Sequence, residues 1–294
     1  LSMSVHTPAT RMISLVVALT PILVATALGQ VIGGSAPGSI RAAISYSTTP
    51  PEEMRAHEKQ RCVFDLYLPA GRPAFATLVW FHEGDFRSGT RTIPELLRTE
   101  SFAVAAPDYR LVPTVTCEEA IQDAARAVAC VFRTIESLGG DPGRIFLGGS
   151  GTGAYLAELI ALDPSLLAGC GLADVSVAGL VAINGTACTH PAVVQERGGE
   201  AVGRIIADRF APMHHVRRDA PPILLATADR RIETSELYES NAYMWRMLQV
   251  AGHRTSRICE LQGYGRKDLD MFLPLVTRFV QTQCALLDDK GANK

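Results

Sequence analysis

The stretch RIFLGGSGTGAYLAELIAL, residues 144 to 162, sets a serine among glycines where an apolar strand gives way to a helix. A hydroxyl on so sharp a turn would stand at the positive end of the helix, beside backbone N–H groups able to hold an oxyanion. That arrangement suits a nucleophile attacking an acyl carbon, and it makes Ser150 the candidate nucleophile. The stretch HEGDFRSG, residues 82 to 89, follows another strand and would supply the second wall of the hole. Its donors would be the backbone N–H groups of Glu83 and Gly84, with that of Gly151 completing the set.

Such a turn needs a frame, and the pattern of apolar runs predicts one. CVFDLYLPA and ATLVWFHEG read as strands divided by the turn signal GRP, and FAVAAPDYR reads as a third after a short helical stretch around Ile93 to Arg98. From Glu118 to Leu138, Ile121, Ala124, Ala125, Val128, Phe132 and Ile135 recur at helical spacing, and Gly139 and Gly140 end the helix. Strands recur at Arg144–Gly149, Val177–Asn184, Pro222–Ala226 and Ser256–Leu261. Strands alternating with helices predict an α/β fold, a mostly parallel central sheet with helices on both faces. In such a sheet chemistry gathers where the strands end.

The chain has 294 residues, 47% hydrophobic and 20% charged, and a formal net charge of -2. No basic stripe points to nucleic acid. At the N-terminus, Arg11 precedes an apolar run from Met12 to Leu28, with Ala27 and Gly29 in small positions ahead of Gln30. Residues 1–29 are expected to be a secretory signal, or else an N-terminal membrane anchor, which places the body of the protein outside the cytoplasm. Residues 30–59 read as a polar lead-in, 60–288 as a single domain and 289–294 as a tail. The seven cysteines show neither close pairing nor metal-type spacing, so no metal is implied. Asn184 opens the sequon NGT.

Several stretches together resemble the α/β-hydrolase superfamily, in particular exported bacterial esterases and lipases of the feruloyl- and acetyl-esterase-like branch. VWFHEGDFRSG is similar to the family's His-Gly-Gly-Gly segment, PDYRLVP to its Tyr-Arg-Leu segment, and GGDPGRIFLGGSGTGAYLA to its nucleophile elbow. FAPMHHVRRDAPPILLATADR, ESNAYMWRMLQVAGH and ELQGYG are similar to the stretches around its last two strands. The resemblance covers about residues 60 to 282. It implies an α/β-hydrolase fold, a serine nucleophile, no cofactor, and a small-molecule ester or anion as ligand, a carbohydrate ester among the possibilities.

The departures bear on activity. Glu83 and Asp85 replace glycines of the oxyanion segment, and Thr152 stands two after the serine where the family has glycine. The residue matching the family histidine is Arg266, which stays charged and cannot accept a proton. The acid position falls nearest Arg231, with Asp229 and Glu233 as the neighbouring carboxylates. Of the other histidines, His253, His214 and His215 precede strands at the far edge of the sheet, and His82 is expected to brace backbone. His190, following the carboxyl end of a strand, is the candidate surrogate base. Glu83, Asp85, Arg231 and Arg266 are expected to face one cleft and close it with ion pairs. The sequence therefore reads as an esterase-like protein with hydrolysis impaired or absent. The alternatives are an active carboxylesterase using Ser150 with His190, and a non-catalytic binding protein using the old pocket.

Overall fold

Apolar, β-branched runs buried on both sides form the centre of the sheet, as the sequence predicts. In this computed structural model, residues 38–71, 73–200, 205–233 and 237–292 are described. The strands are β1 (Ser39–Ser45), β2 (Val63–Leu68), β3 (Phe75–Phe81), β4 (Phe102–Pro107), β5 (Gly140–Ser150), β6 (Gly179–Ile183), β7 (Ile223–Ala228) and β8 (Ser256–Leu261). They form one 8-stranded sheet in the order β1-β2-β4-β3-β5-β6-β7-β8. Only β1 with β2 and β2 with β4 run antiparallel; every later pairing is parallel.

The helices are α1 (Ala56–Arg61), α2 (Cys117–Thr134), α3 (Thr152–Leu162), α4 (Pro164–Ala168), α5 (Pro191–Glu196), α6 (Leu237–Val250) and α7 (Leu269–Ala292). Alternation along each strand sends side chains to two cores. On one face Val79, Phe81 and Leu147 pack with α2, α3 and the Met244 and Leu248 side chains of α6. On the other, Leu78, Trp80 and Phe146 meet Phe272, Leu273 and Val276 of α7. The start of α2 is fixed by a capping box, in which Thr116 and Glu119 each accept the other's backbone N–H. Every residue of α3 is buried, so this helix is anchored on all sides directly behind the end of β5.

Two boundaries differ from the sequence reading. The lead-in holds β1 and α1, so the sheet begins before residue 60; β1 is almost wholly exposed and is held by its ladder to β2 rather than by burial. At the other end, α7 continues through Ala292, past the expected start of the tail. The segment 1–29, expected to be a signal or anchor, lies outside the described residues. The sequon asparagine Asn184 is buried and accepts the Ala228 N–H at 2.7 Å, which places it inside the fold rather than on an accessible loop.

Candidate active site at the turn after the fifth strand

The chain leaves β5 at Ser150 and enters α3 at Thr152, so a single residue, Gly151, makes the turn. Its backbone sits at φ 54, ψ -121, a conformation that residues with side chains rarely adopt. Two glycines, one on each side at a distance of two residues, let the turn close. A Cβ on Gly149 would lie 2.5 Å from the carbonyl carbon of Gly153, and one on Gly153 would lie 2.1 Å from the Phe81 oxygen. The pattern Gly-x-nucleophile-x-Gly is therefore centred on Gly151, and the strained apex that carries the nucleophile in this type of turn is a glycine.

This corrects the assignment of Ser150. Ser150 is the last residue of β5, paired across the sheet with Ile183, and it precedes the apex by one. Among the described residues no side chain hydrogen-bonds its hydroxyl. GGSGTG holds two overlapping frames, and only the one centred on Gly151 has a glycine two residues away on both sides. The signal for the right one was Thr152: it violates the first frame and vanishes as an anomaly when the frame moves one residue.

A Cβ built at the apex points to the residues that should face a nucleophile. It would lie 3.1 Å from Glu83 Cβ, 3.2 Å from Glu83 Oε2 and 3.4 Å from Arg266 Nη2. Arg266 thus occupies the neighbourhood expected of the base, and Glu83 the oxyanion side. Of the expected hole donors, Gly84 remains in the loop facing this seat. Gly151 is the seat itself, so the donor from α3 becomes the N–H of Thr152, at a helix start that no side chain caps. The Thr152 hydroxyl is not an intrusion: it accepts the Asp85 N–H at 2.9 Å and so ties the oxyanion loop to α3. His82 braces that loop from behind, with Nδ1 2.8 Å from the Glu83 carbonyl and its ring stacked on Tyr109. Asp108, buried between Arg61, Arg91 and His82, fixes the same loop to the body of the sheet.

His190 is not a base for Ser150. Its Nδ1 accepts the Ala192 N–H at 3.2 Å, capping α5, which leaves the neutral ring its proton on Nε2. That nitrogen lies 3.2 Å from Thr152 Oγ1, to which it donates. Burial pushes the imidazole down to about 4; Asp85, 3.8 Å away, opposes this and Arg266 adds to it. At neutral pH His190 is an uncharged cap with no free lone pair. His253 is likewise structural, its Nε2 3.0 Å from the Ala220 and Pro221 carbonyls.

Of the two candidate acids, Asp229 is the first residue after β7. Its Oδ2 accepts the Gly263 N–H at 2.8 Å, so it faces the loop that carries Arg266. The rest of the carboxylate is taken by Arg231, whose N, Nε and Nη2 donate at 2.9, 3.1 and 2.8 Å. The Arg231 side-chain bonds, then the backbone N–H groups of Gly263 and Arg231, hold Asp229 well below the usual carboxylate range. Glu233 has a different task, accepting the Arg266 N–H at 2.8 Å, while Asp268 accepts that of Gly265 at 2.7 Å. Three carboxylates thus pin the backbone of the loop from Gly263 to Arg266.

The expected closure by four charges does not occur. Arg231 turns to Asp229 with its side chain 72% exposed, and among the described residues no ion pair joins Glu83 or Asp85 to Arg231 or Arg266. Instead a cleft of about 860 Å³ opens between the loop Glu83–Gly89 and the segments around Ile232, Glu233 and Gly263–Asp268.

Comparison with known proteins agrees with this fold. A family model described as alpha/beta hydrolase fold matches residues 78–289. The chain belongs to that family. Its frame is esterase-like. A truncated carbohydrate esterase from gut microbiota superposes with a TM-score of 0.65 at 15% identity, over 85% of this chain and 98% of that one. Esterase 2 of Thermogutta terrifontis gives 0.62 at 20% identity, over 84% and 92%. Among curated sequences, a probable isoprenylcysteine alpha-carbonyl methylesterase of Oryza sativa subsp. japonica is 32% identical over 114 residues, 37% of this chain and 27% of that protein. Lipase 2 of Moraxella sp. is 35% identical over 91 residues, 29% of this chain and 21% of its own length. The chain spans about a third or less of the length of these curated relatives.

Proposed function

We propose that this protein is an esterase-derived α/β-hydrolase-fold protein that receives a small ester or carboxylic acid in its cleft but forms no acyl-enzyme. The observation that carries this reading is the glycine at the strained apex, with an arginine that cannot accept a proton beside it. Without a side-chain hydroxyl at the apex there is nothing to acylate. Arg266 stands where the histidine would be and both ring nitrogens of His190 are engaged, so no histidine activates a neighbouring hydroxyl in its stead. The cleft, the loop donors and the acid remain, which supports retained binding of an ester-sized ligand, a carbohydrate ester being one such class. Ser150→Ala and the parent protein are treated with a fluorophosphonate and weighed intact. Neither is expected to gain a covalent adduct, and a stoichiometric adduct on Ser150 would refute the reading. Export remains part of the proposal: expressed from the full sequence, the protein is expected outside the cytoplasm with Gln30 or a near neighbour at its N-terminus. Recovery solely in membranes with Met12 retained would support the anchor.

A further inference from the structure

The seat vacated by the nucleophile is flanked by two groups of opposite charge that do not touch. Glu83 Oε2 and Arg266 Nη2 each lie within 3.4 Å of the point where a Cβ on Gly151 would be, yet no ion pair joins them. Two hydrogen bonds of one water, about 2.8 Å each and meeting near the tetrahedral angle, span about 4.6 Å. The two atoms stand more than 4.0 Å apart, since no ion pair joins them, and no more than 6.6 Å apart, the sum of their 3.2 and 3.4 Å distances from the apex Cβ position, a window that includes the span of one bridging water.

Resting on the proposed absence of an acyl-enzyme, we propose that Glu83 acts as a general base for direct attack of this water on the bound ester. The water oxygen forms a bond to the carbonyl carbon as one of its protons passes to the Glu83 carboxylate. The carbonyl oxygen takes up the electron pair, and the N–H groups of Thr152 and Gly84 receive it, the former at the uncapped start of α3. On collapse the bond from carbon to the leaving oxygen breaks, and the proton on Glu83 passes to that oxygen. One water is consumed, an acid and an alcohol are released, and the carboxylate is restored. Arg266 stands where a histidine would protonate the leaving group, but a guanidinium stabilises negative charge without giving up a proton. The substrate class follows: esters of acidic alcohols such as phenols, whose oxygens depart with little help from a proton.

The experiment is hydrolysis of p-nitrophenyl acetate and ethyl acetate by the folded full chain and its Ser150→Ala, Glu83→Gln and Glu83→Asp variants, Glu83 being exposed so that its replacement leaves the fold intact. A positioned general base contributes about 10²–10⁴-fold, so Glu83→Gln is expected to lose about 100-fold or more on the aryl ester. Glu83→Asp should recover part of that loss. Ser150→Ala should match the parent, no burst should precede the steady state, and ethyl acetate should be turned over far more slowly. Equal rates for the parent and Glu83→Gln would overturn the assignment of the base while leaving the absence of an acyl-enzyme intact. A burst or a fluorophosphonate adduct would overturn both.

Discussion

Restoring a serine nucleophile tests the reading of the apex most directly. Gly151→Ser places a hydroxyl at the centre of the Gly-x-x-x-Gly turn, and Arg266→His places an imidazole in the loop beside it. Space is tight but not prohibitive. The new Cβ meets Glu83 Cβ at 3.1 Å, Glu83 Oε2 at 3.2 Å and Arg266 Nη2 at 3.4 Å, so the loop at Glu83 must yield by a few tenths of an ångström together with its carboxylate, and the arginine is removed. The full loss of a triad is on the order of 10⁶ in turnover, and loss of the acid alone on the order of 10⁴. Because Asp229 is engaged by Arg231, the double variant is expected to regain only the remainder, about 10²-fold over either single variant. Adding Arg231→Ala frees the carboxylate to orient the new imidazole and is expected to contribute up to a further 10⁴-fold. The three changes act as a unit, so the triple variant should far exceed the product of the single effects. The assay is steady-state hydrolysis of a short acyl ester alongside fluorophosphonate labelling, with circular dichroism to confirm folding. A folded triple variant that neither labels at residue 151 nor exceeds the parent would refute the placement of the nucleophile seat.

Three further outcomes follow from two buried groups and one helix cap. Glu158 is fully buried with both oxygens unpartnered, and burial raises its carboxyl well above the ordinary range. The native state therefore holds a proton that the unfolded state releases, so stability should fall as pH rises above 4.5 by up to about 1.4 kcal/mol per pH unit, a slope that Glu158→Gln abolishes in urea titrations. His190 is depressed from 6.5 to about 4, so its contribution is present above 6.5 and is lost as pH falls toward 4; the His190→Asn variant, which keeps an α5 cap, should show a flatter acid limb. Thr116→Ala breaks the capping box of α2 and is expected to cost about 1 kcal/mol by chemical denaturation, with hydrolysis unchanged.

Much of the frame was legible because the central strands and α2 carry their burial in their composition. ATLVWF, FAVAAP and ILLATA are apolar on both faces, as strands of a parallel sheet must be, and the periodicity of α2 is the face that packs on the sheet. β1 was illegible for the opposite reason: SIRAAIS lies at an edge, nearly all exposed, and what holds it is pairing that a single chain does not reveal. In the site, the arginine at 266 was readable from its loop, but the apex was not, because the adjacent serine fits an overlapping frame and the steric demand of the turn leaves no mark on residue type. The close contacts of Gly149 and Gly153 decide the frame, and they exist only in three dimensions. The role of His190 had a local signal in Pro191, which favours the first position of a helix and makes the preceding residue its cap. The grip of Arg231 on Asp229 had none, since spacing along the chain does not say which way a guanidinium turns.

The apex also bears on how such a protein could regain or keep a nucleophile. A residue with a side chain held at φ 54, ψ -121 stores strain on the order of 1–3 kcal/mol, whereas glycine visits that region freely. The substitution that removes the nucleophile therefore relaxes the fold, and the gain is immediate and independent of any other residue. Reversal must pass through a form that carries the strain and has no base to use the hydroxyl. Gly151 is in this sense a ratchet: once a serine at such a turn is replaced by glycine, selection for folding alone is enough to hold it there.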